Sequence, residues 1–190
     1  MMNNISQISE LYISFGSEQY GGEAISQLQH ALQCASLAEN SGATPELICA
    51  ALLHDLGHLL RLPDSKDKVE HEVIPVVDDL HQYFAIPFLR SNFSDAVIEP
   101  IKLHVDAKKY LCSVDPLYWS SLSDASKNSL ALQGGAYSAE EAAAFILQPY
   151  AEDAVNLRRW DDLAKEPKAR PPEWSHYLAM LEDVMQPISK

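Results

Sequence analysis

Residues 47 to 53 read Leu-Ile-Cys-Ala-Ala-Leu-Leu, and they run directly into His54-Asp55-Leu56-Gly57-His58. A helix that is apolar on almost every side is a central one, covered by other helices. Thr44 is a good N-cap for it, with Pro45 at the first helical position and Glu46 in the first turn. This helix carries an imidazole and a carboxylate inward at its end. Burying such groups costs on the order of several kcal/mol unless each finds a partner. Side chains of adjacent helical residues point about 100° apart. His54 and Asp55 can therefore serve a pair of metal ions, with the carboxylate bridging. A buried His–Asp hydrogen bond of purely structural duty is the other reading.

The rest of the chain has helical spacing. Ile5, Ile8, Leu11, Tyr12 and Phe15 predict a helix over 5–15, stopped by Gly16. After Gly21-Gly22 a longer helix is predicted over about 23–40, with Leu28, Ala31, Leu32, Ala35 and Ala38 on its apolar face. Residues 61–72 read as a mobile, charged loop. A helix is expected over about 78–86, started by Asp78 or Asp79 and limited by Pro75 and Pro87. Asp95 is expected to cap one that runs to Tyr110 and bends near Pro100. Asp115-Pro116 starts a short helix, and Ser123 starts another that ends at Gly134-Gly135. Ser138 with Glu141 forms a capping box for a helix to about Leu147. Two more are expected, over about 151–164 and from about 174. No stretch alternates convincingly with period two, Val73 to Val77 being the best strand candidate. The expected fold is all-α, about eight helices in a single domain over residues 1–190.

Composition narrows the function. The net charge of −13 repels a phosphate backbone and an anionic membrane surface, so neither nucleic acid nor membrane is an expected partner. A small anion remains acceptable where a few basic residues outweigh the remote field. No apolar run approaches the 18 or so residues of a membrane span, and Met1 to Glu10 lacks the pattern of a signal peptide. Cys34, Cys49 and Cys112 are an odd, scattered set, which reads as reduced cysteines packed on helices of a cytoplasmic protein.

Seven histidines occur: His30, His54, His58, His71, His81, His104 and His176. The string His54-Asp55-Leu56-Gly57-His58 closely resembles the signature of the HD-domain superfamily of metal-dependent helical proteins. That resemblance implies an HD-domain helical bundle with an upstream histidine, His30, and a late aspartate, Asp161 or Asp162. Two further histidines, His81 and His104, would build a second site. His71 competes for the place of His81, which is favoured because it opens a predicted helix. Asp161 is favoured because it lies three residues after Arg158 and seven after Ala154, on the inner face. Asp162 reads as solvated and His176 as a surface residue. The nitrogen and oxygen set suits an octahedral iron or manganese pair better than a thiolate zinc site.

A narrower resemblance covers about residues 20–165. Its pieces are Tyr20-x-x-Glu23, Gln27-x-x-His30, the His54 to His58 string, Asp78-Asp79-Leu80-His81 and Leu103 to Leu111. They continue with Leu122 to Ser126, Leu132-Gln133-Gly134-Gly135 and Arg158-Arg159-Trp160-Asp161. In order, these resemble the phosphonate-degradation-associated HD-domain oxygenases, above all those acting on 2-amino-1-hydroxyethylphosphonate. Glutamine at 82 departs from the glutamate more usual there. The resemblance implies two iron ions, mixed-valent Fe(II)/Fe(III), with O₂ as co-substrate and a small organophosphonate as substrate. His30, His54, Asp55 and Asp161 would hold one iron, and Asp55, His81 and His104 the other. Tyr20 would occupy the open position on the first iron and leave when substrate arrives. Glu23 would bind the ammonium group, while His58, Lys108, Ser126, Gln133 and Arg158 would surround the phosphonate. The implied reaction cleaves the C–P bond to give glycine and phosphate.

Residue spacing is consistent with such a pocket. His58 follows His54 by four, Lys108 follows His104 by four, and Arg158 precedes Asp161 by three, so each shares a face with a candidate ligand. Glu23 favours a primary ammonium, which donates hydrogen bonds. A trimethylammonium group would favour an aromatic cage, and Tyr20 supplies only one ring. The competing readings are an HD-type metal-dependent phosphohydrolase, an oxygenase of the trimethylammonium analogue, and a non-catalytic helical domain.

Overall fold

The computed structural model describes residues 4–20, 23–60 and 80–186. Among these, twelve helical segments occur and no strand. They are α1 (Asn4–Phe15), α2 (Gln27–Asn40), α3 (Pro45–Leu53), α4 (Leu56–Leu60), α5 (His81–Phe84), α6 (Ile86–Leu89), α7 (Asp95–Val114), α8 (Tyr118–Ser121), α9 (Asp124–Leu132), α10 (Ala139–Ile146), α11 (Ala151–Leu163) and α12 (Trp174–Val184). The charged segment 61–72, the strand candidate Val73 to Val77, the starters Asp78 and Asp79, and His71 lie outside the described residues.

Helix α3 occupies the centre, as its composition requires. All seven residues from Leu47 to Leu53 are buried. It packs against α2, α7, α11 and α12, and each large aliphatic side chain buried there contributes roughly 1.5–3 kcal/mol. Thr44 Oγ1 accepts from the Leu47 N–H at 3.3 Å, and Tyr12 in α1 donates its hydroxyl to the Leu52 carbonyl at 2.8 Å. The second bond satisfies a carbonyl that a helix end leaves open. A separate apolar cluster of Leu103, Ala107, Phe145, Ala151 and Ala154 joins α7 to α10 and α11. A third, Leu111, Tyr118, Leu122 and Leu130, seats α8 and α9 beside α7.

Several predicted boundaries shift. Helix α2 begins at Gln27, not near 23, because Ser26 and Gln29 form a capping box. The predicted helix over 78–86 is two short helices separated by Ala85, and Pro87 sits in the first turn of α6, where its missing N–H costs nothing. Ser94, not Asp95, stands at the cap of α7, which runs to Val114. The pieces without a counterpart of their own among the expected helices are α4 and the second half of the split pair α5 and α6, whereas α8 is the short helix expected after Asp115-Pro116. None of the described helices is long and apolar enough to cross a membrane.

Candidate metal centre

Five elements converge beneath the end of α3. His30 comes from α2, His54 and Asp55 from the end of α3, His81 from α5, His104 from α7 and Asp161 from α11, and all six are buried. Three imidazoles are oriented by carbonyl oxygens. Nδ1 of His30 lies 2.9 Å from the Ala164 carbonyl, Nδ1 of His54 2.9 Å from that of Ala51, and Nδ1 of His104 2.6 Å from that of Ile101. A carbonyl only accepts, so each Nδ1 carries the proton and each Nε2 turns a lone pair inward.

Asp55 divides the inward nitrogens into two sets. Its Oδ2 stands 3.3 Å from His54 Nε2 and 3.6 Å from His30 Nε2. Its Oδ1 stands 3.2 Å from His81 Nε2 and 3.9 Å from His104 Nε2. Asp161 completes the first set, with Oδ1 3.3 Å from His30 Nε2 and Oδ2 3.9 Å from His54 Nε2. The His30 and His54 Nε2 atoms are 3.3 Å apart, and those of His81 and His104 are 3.1 Å apart. Two ligand atoms on one ion, at bonds of about 2.1 Å, stand about 3.0–3.4 Å apart in octahedral or tetrahedral geometry. Asp55 Oδ2 is buried and accepts no hydrogen bond. These observations fit a cation in each set and a carboxylate shared between them.

The electrostatics agree. Burial pushes the Asp55 and Asp161 carboxyls up, but His54 beside Asp55 and Arg158 beside Asp161 hold them well below the usual carboxylate range. Burial, with His81 next, keeps His104 well below the usual imidazole range and hence neutral. Cys34 Sγ lies 3.6 Å from His30 Nε2, close enough to be grouped with His30 and His54 as a potential ligand. Burial and the two carboxylates push its thiol well up. A neutral thiol is a poor ligand, and the Asp161 carboxylate already faces this set.

Around the centre lie the remaining expected residues. Tyr20 stacks on His30, ring centroids 3.7 Å apart, and its hydroxyl donates to Asp161 Oδ1 at 3.3 Å. Burial, then Asp161, keep that phenol protonated. His58 stacks on His81 with centroids 4.2 Å apart, and its Nε2 is 3.8 Å from Asp55 Oδ1. Lys108 and Arg158 are buried basic side chains. Lys108 Nζ donates to Ser129 Oγ at 2.7 Å, and Arg158 Nη1 pairs with Asp161 Oδ2 at 2.7 Å. Ser126 is buried in the first turn of α9. Gln133 caps the other end of that helix, about 10 Å further along its axis.

Two departures from the expected site stand out. Asp162 is not solvated: it accepts from Arg158 Nε at 3.1 Å, from Arg158 Nη2 and from the Tyr118 hydroxyl. Arg158 is thus shared between the two consecutive aspartates. Lys165 is absent from the expected site, yet its Nζ donates to Ser126 Oγ at 3.0 Å and Ser123 Oγ at 3.3 Å and pairs with Glu23 Oε1 at 3.3 Å. A signal for it exists, since Lys165 follows Asp161 by four, as Lys108 follows His104 and His58 follows His54. His176 pairs with Glu39 at 2.9 Å on the exterior.

The family model of the HD domain matches residues 28–145, a span that includes every candidate ligand except Asp161. Hydroxymethylphosphonate dioxygenase of Gimesia maris is 42% identical over 182 residues, covering 96% of this chain and 88% of its own. The 1-hydroxy-2-(trimethylamino)ethylphosphonate dioxygenase (glycine-betaine-forming) of Leisingera caerulea is 32% identical over 186 residues, covering 95% of this chain and 89% of its own. The chain belongs to the HD-domain family, and within it to the group of the phosphonate dioxygenases.

Proposed function

We propose that the protein is a diiron oxygenase that cleaves the C–P bond of 2-amino-1-hydroxyethylphosphonate with O₂, giving glycine and phosphate. The observation that carries this reading is Asp55, whose two oxygens face two separate histidine pairs beside a buried cationic pocket. His30, His54, Asp55 and Asp161 would hold one iron and Asp55, His81 and His104 the other. The pair, mixed-valent, supplies the activation of O₂ when bound. The reaction balances: substrate and O₂ together contain the atoms of glycine and phosphoric acid, C1 being oxidised to a carboxyl as O₂ is reduced.

The chain's own residues bind and orient. Lys108, Arg158, Ser126, His58 and Gln133 receive the phosphonate, whose charge the two buried cations neutralise. Tyr20, held between His30 and Asp161, yields its place to the substrate. Glu23 receives the ammonium group. Phosphate release by iron-loaded protein, with and without O₂, tests the reading. Phosphate with glycine in the aerobic sample alone supports it, whereas equal phosphate in both would point to the phosphohydrolase. A second reading is favoured by one observation, the pairing of Glu23 with Lys165 at 3.3 Å. Glu23 so neutralised also suits a substrate without an amine, such as the hydroxymethylphosphonate of the Gimesia maris relative; there the same balance gives formate and phosphate.

A further inference from the structure

We propose that Lys165 is a specificity-determining residue, a built-in ammonium group that holds Glu23 until an amine-bearing ligand replaces it. The inference rests on the reading of the pocket as a phosphonate site, and it takes up a residue to which that reading gives no role.

Lys165 is firmly placed. It lies just past the end of α11, and the chain on either side of it is clamped. The Ala164 carbonyl accepts from His30 Nδ1 at 2.9 Å. The Glu166 backbone makes two bonds of 3.0 Å with the side-chain amide of Gln33, one as acceptor and one as donor. The Lys165 side chain is only 14% exposed and that of Glu23 only 20%. Its ammonium therefore reaches inward to three fixed groups, the hydroxyls of Ser123 and Ser126 and the Glu23 carboxylate. Glu23 Oε1 is itself buried and makes no well-directed hydrogen bond. Its charge is neutralised, while its capacity to accept is left partly unused.

The competition for Glu23 is between like groups. The head of a lysine and the amine of a 2-aminophosphonate are both primary ammonium groups with three donors. Both cannot sit on one carboxylate oxygen without repelling one another. A ligand that brings its own ammonium takes Glu23, and Lys165 stays on the two serine hydroxyls, where it faces the phosphonate end. A ligand without an amine leaves the pair intact and depends on it, because an unpaired Glu23 would repel the phosphonate dianion. Lys165 thus lets one pocket serve both ligand types, and its removal should separate them.

The test is anaerobic titration calorimetry of iron-loaded protein with 2-amino-1-hydroxyethylphosphonate and with hydroxymethylphosphonate, for wild type, Lys165→Met and Glu23→Gln. Any attraction between Lys165 and the phosphonate is lost for both ligands and cancels in the ratio of their affinities. Lys165→Met is expected to shift that ratio at least about tenfold toward the amine, and Glu23→Gln to shift it the opposite way. Equal weakening of both ligands, or no change, would overturn the proposal, and so would failure of both to bind wild type. Turnover is scored separately. Wild type that releases phosphate from neither ligand would defeat the oxygenase reading, while the binding ratio would still decide the role of Lys165.

Discussion

A Cβ on Gly57 would stand 1.9 Å from the carbonyl oxygen of His81 and 2.8 Å from its carbonyl carbon. Helix α4 meets α5 at this point, and the absent side chain is what lets His81 approach Asp55. Gly57→Ala must push the backbone of His81 outward, because no flexible group is available to yield. On the proposed two-metal reading, the expected result is loss of the ion assigned to His81 and His104, so that metal analysis finds about half the wild-type content, and a fall in activity of about 100-fold. Circular dichroism should keep its helical signal. Full metal content in this variant would separate His81 from the centre.

Asp55→Asn keeps the volume of the side chain and removes its charge. Both histidine sets lose their shared anion, so both metals should be lost together. Elemental analysis after desalting reads this directly. A variant that retained a full complement of iron would show that the carboxylate does not bridge.

Glu23→Ala should leave the iron spectrum unchanged and raise KM for the amine substrate by roughly 10- to 100-fold, the worth of a hydrogen bond between charged groups. Steady-state kinetics with the spectrum recorded on the same sample checks both halves. An unaltered KM would place the ammonium elsewhere.

Lys108 carries a pH signature. Burial, then the nearby charge of Arg158, pull its ammonium down to about 7. Below that pH it is a cation and attracts the phosphonate; above it the attraction fades. KM for the phosphonate should therefore rise between pH 7 and 9, and Lys108→Met should remove that limb of the profile. Stability runs the other way. The unfolded chain keeps this proton to about 10.4 and so binds more protons than the folded one between roughly pH 7 and 10.4. Ligand-free protein should gain stability from this group across that window, as chemical denaturation at several pH values would read.

The legible and the illegible parts of the molecule divide along a physical line. Local signals are legible: Thr44, Ser123 and Ser138 each accept the backbone bond expected of an N-cap, and the apolar run before His54 is the buried centre. The start of α2 is harder to place because Gly21-Gly22 looks like a break, while the effective stop is the side chain of Ser26. Helices α5 and α6 read as one because the break between them at Ala85 is not written in periodicity; the start of α5 is equally hidden, since Leu80 takes φ 53 there and α5 is seated by its contact with Gly57. Within the centre, spacing and family signature place the histidines and Asp161 together. Asp162 escapes because the inner face is counted from Asp161 alone, although Asp162 follows Arg158 by four and so lies within its reach as Asp161 does. Lys165 has the spacing, four residues after Asp161, but it lies just past the end of α11, where that spacing alone no longer fixes a face.

The scattering of the ligands along the chain has a consequence for its synthesis. His30 and Asp161 share one point in space, yet more than two-thirds of the 190 residues separate them. A growing chain presents four of its histidines and Asp55 long before it possesses Asp161 and the Arg158 that keeps it charged. The set of His30, His54, Asp55 and Asp161 is therefore complete only once α11 has been made, and a metal ion can meet all four of these side chains no earlier than that.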